Sequence, residues 1–130
     1  MTSPPVADAA GEALNRALIA AGIASAKKAD DIVVLDVGDI ISITDVFVIA
    51  SASNTRHVLT IVDEVERALK EQASVAPRSV EGRDDASWVL LDYGDVIVHV
   101  FLTETRAYYD LDRLWSDAPR VNWERATVLS

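Results

Sequence analysis

From Asp31 to Val37, and again from Val46 to Ala50, apolar residues follow one another without the polar gaps that a water-facing surface leaves. Ile32, Val33, Val34, Leu35 and Val37 form a β-branched run too short for a helix, which predicts a strand buried on both faces. Gly38-Asp39 supplies a turn, Ile40 to Ile43 a short second extended piece, and Thr44-Asp45 a break. Val46 to Ala50 then gives another two-sided strand, so two central strands are expected here. Upstream, Ala10, Leu14, Ala17, Leu18 and Ala21 recur at helical spacing, with a shallow packing face and an end or weak point at Gly22. Residues 1–6, with Pro4 and Pro5, read as a frayed start.

Downstream, Ser51, Ser53 or Asn54 can cap a helix in which Val58, Ile61, Val62, Val65 and Leu69 share one stripe. Ala73 to Ala86, with Pro77, Gly82 and Arg83-Asp84-Asp85, is connection and the expected flexible loop, with a short strand near Ser79 to Glu81. Trp88 to Asp92, the turn Tyr93-Gly94, and Asp95 to Phe101 read as a hairpin. Thr103 can cap a last helix carrying Glu104 in its first turn, with Tyr108, Leu111 and Trp115 at i, i+3 and i+7 and a stop at Pro119. Residues 120–130 show no period. The pattern is that of one α/β domain over residues 7–119, followed by a C-terminal tail.

The chain has 130 residues, half of them apolar, enough for one real core. It has no cysteine, which excludes disulfides, zinc–thiolate sites, iron–sulfur clusters and thiol catalysis together. The 21 Asp and Glu against 12 Lys and Arg set a like-signed average field against a phosphate backbone, so little or no direct nucleic-acid binding is expected. A basic protein partner suits that charge better. The longest nearly apolar stretch, Ala17 to Ala26, is too short to span a bilayer, and the N-terminus lacks a basic leader pattern; the expectation is a cytoplasmic protein without membrane contact.

Constellations that would carry chemistry are missing. The glycines at 11, 22, 38, 82 and 94 form neither a dinucleotide fingerprint nor a Walker loop. His57 and His99 have no carboxylate at a metal-ligand spacing, and His99 reads as a structural strand histidine. Ser51, Ser53 and His57 are explained by capping, and Asp92 and Asp95 by turn chemistry, although paired carboxylates can also hold a metal or trade protons. Asp36 in an apolar strand marks either a strand end or a buried pair. Trp88, Leu90, Leu91 and Tyr93 on one hairpin fit core and interface equally well; Tyr108, Tyr109 and Trp115 read as helix-to-sheet packing.

Taken in order, the stretches DIVVLDV (31–37), TDVFVIAS (44–51), Asn54 to Arg56 with Val62 to Val65, Glu81-Gly82 and above all WVLLDYGDVIVH (88–99), then Arg106, Tyr109, Leu111 and Leu114-Trp115, resemble the ribosomal silencing factor (Iojap-like) family. The resemblance covers residues 30–119. It departs at His57, where relatives commonly have glutamine, at Leu102-Thr103, which replace a more polar pair, and at Asp112, which replaces a glutamate. It implies a mixed sheet of about five strands packed by helices, with a nucleotidyltransferase-like topology but without that fold's active site. It also implies docking on large-subunit ribosomal protein fourteen, which would keep the small subunit off and repress translation. Trp88, Leu90, Asp92, Tyr93 and Asp95 are the partner contacts it implies, with no catalytic residue, metal or cofactor. Self-association into a homodimer is a further expectation. The alternatives are a metal-dependent nucleotidyltransferase-like enzyme and a large-subunit assembly factor. The enzyme would need a Gly-Ser loop followed by an Asp-x-Asp pair on a strand, and the chain has no Gly-Ser and no such pair on an expected strand.

Overall fold

The computed structural model describes residues 5–124, with side chains from residue 11 onward. The elements run α1 (Pro5–Ala26), β1 (Asp30–Asp36), β2 (Val46–Ala52), α2 (Thr55–Ala73), β3 (Ser79–Glu81), β4 (Trp88–Asp92), β5 (Val96–Leu102), α3 (Thr103–Tyr109) and α4 (Leu111–Leu114). The five strands form one mixed sheet in the order β1-β2-β5-β4-β3, as expected of the α/β class. β2 and β5 pair in parallel over their full lengths, from Val46 opposite Val96 to Ala52 opposite Leu102, and the other pairings are antiparallel.

Period-two alternation divides the sheet cleanly. Val46, Val48, Ala50 and Ala52 of β2, Val96, Val98 and Val100 of β5, and Val89 and Leu91 of β4 face α1 and α2 in the larger core. Phe47, Ile49, Ile97 and Phe101 face the opposite way, into a smaller core closed by Leu111, Ala118 and Val37, with Trp115 packed on it. Both faces of the central pair are thus dry, which is why these runs are apolar throughout.

α2 matches its predicted stripe: Val58, Ile61, Val62, Val65 and Leu69 are all buried. Among the three candidate caps Asn54 is the one used, its Oδ1 accepting from the His57 amide at 2.8 Å. α1 passes through Gly22 and turns a different face inward than expected: Ala13, Ala17, Ala20, Ala21 and Ala24 are buried, while Leu14 is exposed. Alanine lets the helix axis approach the sheet, and leucines on that face would hold it away. α1 begins at Pro5, within the stretch read as frayed, where a proline without an amide proton costs a helix nothing. Residues 1–4 and 125–130 lie outside the described residues.

Four further expectations need correction. β1 is an edge strand of the sheet and not central. Its apolarity is explained by the two cores and by the C-terminal segment along its outer edge: Asp36 N donates to Pro119 O, Val121 N to Val34 O, and the Trp123 indole to Ile32 O. Packing therefore continues past residue 119, where a separate tail was expected. Ile40 to Ile43 is not a strand; the Ile40 and Ile41 amides both turn back to Val37 O, Ile41 packs on the smaller core, and Ile40 and Ile43 stay exposed. Thr103 does not cap α3, since Leu102 holds that position and the Thr103 hydroxyl donates to Ala52 O. The last helix is two: Asp110, at φ 52°, breaks it, so the spacing of Tyr108, Leu111 and Trp115 never forms one stripe.

Gly82, at φ +87°, brings the β3–β4 connection against β4; a Cβ there would sit 2.0 Å from the Trp88 carbonyl oxygen. Gly82→Ala is expected to cost about 2 kcal/mol or more, from left-handed strain plus a backbone clash. The check is a urea midpoint that falls with the m-value unchanged.

Candidate functional site

The register fixes what β4 can present. Trp88, Leu90 and Asp92 share one face, opposite Phe101, His99 and Ile97 of β5, while Val89 and Leu91 point into the helix-covered core. α3 and α4 cover that open face over β2 and β5 but leave its β4 side uncovered, so Trp88 and Leu90 remain half-buried. The Trp88 ring stacks on Phe101 at a centroid distance of 4.9 Å and touches Tyr109 of α3, also at 4.9 Å. Its indole N–H donates to His99 Nδ1 at 3.1 Å.

His99 is the structural histidine expected of it. It is 5 % exposed, meets Phe47 edge-on at 4.8 Å, and its Nε2 has no partner. Burial depresses its pKa to about 4, because no anion lies close enough to pay for desolvating the charged ring. The neutral imidazole accepts from Trp88 on Nδ1 and carries its proton on Nε2. One buried ring thereby sets the orientation of the Trp88 indole.

Of the five residues expected to meet a partner, only part converge. Trp88 and Leu90 lie side by side on the open face. Asp92 is on the same face, but its Oδ1 already accepts from the Gly94 amide at 2.8 Å and lies 3.5 Å from Arg78 Nε. Tyr93 is a correction: its ring is 6 % exposed in the larger core, and burial raises its phenol pKa. Five residues on from Trp88, it falls on the opposite face of the sheet, so the two rings cannot form one surface. Asp95 is held by Arg16 of α1 at 2.8 Å, on the helix side, and only its second oxygen is unpaired.

The aromatic residues read as packing also need revision. Trp115 does pack, edge-on to Phe47 at 5.6 Å, but Tyr108 is 82 % and Tyr109 52 % exposed, and Leu114 is 68 % exposed. No glycine or proline at position 110 announced the break that turns them outward. Arg106 holds this region in place: nine-tenths buried, it donates to Ser51 Oγ at 3.1 Å and Asp30 O at 3.4 Å, and its Nη2 meets Asp112 Oδ2 at 2.9 Å. The adjoining open cleft, about 510 Å³, is lined by Asp31, Ser51, Arg106, Asp110, Asp112 and Arg120 among others. Ser51 is therefore engaged with Arg106, and the His57 ring with Lys27 O at 2.6 Å; they form no nucleophile–base pair. Asp36 ends β1, exposed, its carboxylate accepting from the Gly38 amide. Among the described residues, no three His, Asp or Glu side chains gather as a metal set, and no helix is long and apolar enough to cross a membrane.

A family model described as "Ribosomal silencing factor during starvation" matches residues 10–129. The ribosomal silencing factor of Halalkalibacterium halodurans is 42 % identical over 98 residues, covering 75 % of this chain and 83 % of the relative. The mouse protein named mitochondrial assembly of ribosomal large subunit protein 1 is 34 % identical over 92 residues, 69 % of this chain and 40 % of that one. A crystal structure of a protein from Chromobacterium violaceum superposes with a TM-score of 0.76 at 34 % identity, covering 79 % of this chain and 85 % of the other.

The His99 environment has a pH signature. Between pH 6.5 and about 4 the unfolded chain takes up a proton at this ring and the folded one does not, so stability falls as pH falls through that window. Full protonation of the unfolded state alone removes about 3 kcal/mol. His99→Phe is expected to lack that component, seen as a smaller drop in urea midpoint between pH 7 and pH 5 than in the wild type.

Proposed function

The chain belongs to the ribosomal silencing factor family, and from that premise we propose that it docks on ribosomal protein fourteen of the large subunit and keeps the small subunit from joining. The observation that supports this reading is the partly buried Trp88–Leu90 pair on the side of the sheet that α3 and α4 leave open. A tryptophan held by a buried hydrogen-bond partner offers large contact area with little entropy left to lose. Steric exclusion needs only an interface, so no catalytic residue, cofactor or metal enters the proposal, and the site of action is cytoplasmic. Trp88 and Leu90 are its anchors and Asp92 its acidic rim. Tyr93 is withdrawn from the contact set because its ring is covered, and Asp95 because Arg16 engages it. The net charge of −9 favours a basic protein partner over RNA.

A second reading, assistance in assembling the large subunit, is motivated by the printed name of the mouse relative. The same docking surface serves both, and they differ in when the protein is bound. Silencing acts on finished subunits, whereas assembly acts on precursors.

Trp88→Glu is expected to leave the fold intact, since the ring lies at the rim of the smaller core and is only partly buried, and to lower affinity for purified large subunits by at least about 2 kcal/mol. Co-sedimentation measures it. Wild-type protein that neither pellets with large subunits nor reduces the yield of joined ribosomes would refute the proposal. Pelleting without loss of joining would favour the assembly reading.

A further inference from the structure

We infer that α3 and α4 form a second contact element for the same basic protein partner, with Tyr108, Tyr109 and Leu114 as its apolar anchors. This rests on the docking role proposed above and extends it from the sheet to the segment beside it.

The arm has two sides with different duties. Leu111 is buried in the smaller core, Trp115 packs on Phe47, and Arg106 ties the arm to β1 and β2 through Asp30 O and Ser51. That side fixes it to the domain. The outer side carries the largest exposures among the big apolar residues apart from Ile43: Tyr108 at 82 %, Leu114 at 68 % and Tyr109 at 52 %. These side chains do nothing for the core, and three of them on one short arm exceed the scatter of single exposed apolar residues that a monomer tolerates. Around them runs a shallow groove of about 560 Å³, lined by Ala107, Tyr108, Tyr109, Asp110, Arg113 and Leu114.

Two observations identify the occupant. Tyr109 touches the Trp88 ring, so the arm is continuous with the sheet anchors and a partner seated on Trp88 meets it without a gap. The charged residues lining the groove are Asp110 and Arg113, one of each sign, so the acidic bias comes from the chain as a whole, whose net charge is −9. Tyrosine rings next to carboxylates suit lysine and arginine side chains, which can lie on the ring faces while pairing at the edge. A phosphate backbone or a second copy of this chain would bring further negative charge to a protein that already carries −9. The arm is already pinned by Arg106, so little ordering cost remains on docking.

The test combines Tyr108→Ser with Leu114→Ser, two positions outside both cores, and compares the pair with Trp88→Glu on purified large subunits. Affinity is expected to fall about ten-fold or more in the double variant, with Tm and circular dichroism as in the wild type. Undiminished binding of the double variant alongside loss in Trp88→Glu overturns the arm and leaves the docking proposal standing. Undiminished binding in both overturns the two together. Sedimentation equilibrium covers the remaining occupant: a wild-type dimer that the double variant converts to monomer, with subunit binding unchanged, assigns the groove to a second copy and overturns the inference.

Discussion

The parallel pairing of β2 with β5 carries the rest of the molecule, because two seven-residue strands some fifty positions apart must meet in full register before either face of the sheet can be covered. Each strand sends alternate side chains into two separate dry cores, and neither core closes without the other strand's contribution. From this pair the remaining positions follow. α1 and α2 seal one side, α3, α4 and the 37–45 loop seal most of the other, and β4 is placed beside β5 with one face left partly open. The Trp88–Leu90 surface exists because the second layer of cover is short: α3 and α4 together are too small to roof five strands.

That shortage bears on the docking role proposed above. Several polar groups that chemistry could have used are already engaged within the fold. Arg106 is shared among Ser51, Asp30 and Asp112, Asp92 closes its own turn, and Asp95 answers Arg16. Apolar and aromatic area around Trp88, Tyr108, Tyr109 and Leu114 is left open, which suits the proposed association. Family membership agrees with this reading at the level of the ribosome.

Much of the fold was legible in the chain, and the reasons differ by element. The α2 stripe and the two-sided runs of β2 and β5 are local patterns that tertiary context had no cause to override. The α1 face was misjudged because hydrophobicity ranks leucine above alanine, whereas close packing of a helix on a sheet selects for smallness at Ala17, Ala20 and Ala24. β1 read as central because its outer edge is covered by residues nearly ninety positions later, and no local pattern records that. The break at Asp110 is held by its amide donating to Arg106 O and by the Arg106–Asp112 pair, contacts four and six positions apart that no glycine or proline marks in the sequence. For the site, Trp88 and Leu90 were placed by the resemblance and remain accessible. Tyr93 was not, although counting residues along β4 and its turn puts it on the opposite side from Trp88.

The division of β4 gives register an unusual weight. Five residues alternate between a partly open face and a fully buried one, so a slip of one position would bury the open-face groups and strand the core groups in water at the same moment. Both ends of the strand are held against that slip: Gly82 seats the preceding connection directly on the Trp88 carbonyl, and the Asp92 carboxylate locks the following turn through the Gly94 amide. With the ends stopped, 89 and 91 keep their place in the helix-covered core and 88 and 90 keep theirs at the rim of the smaller one, so a single register serves both layers.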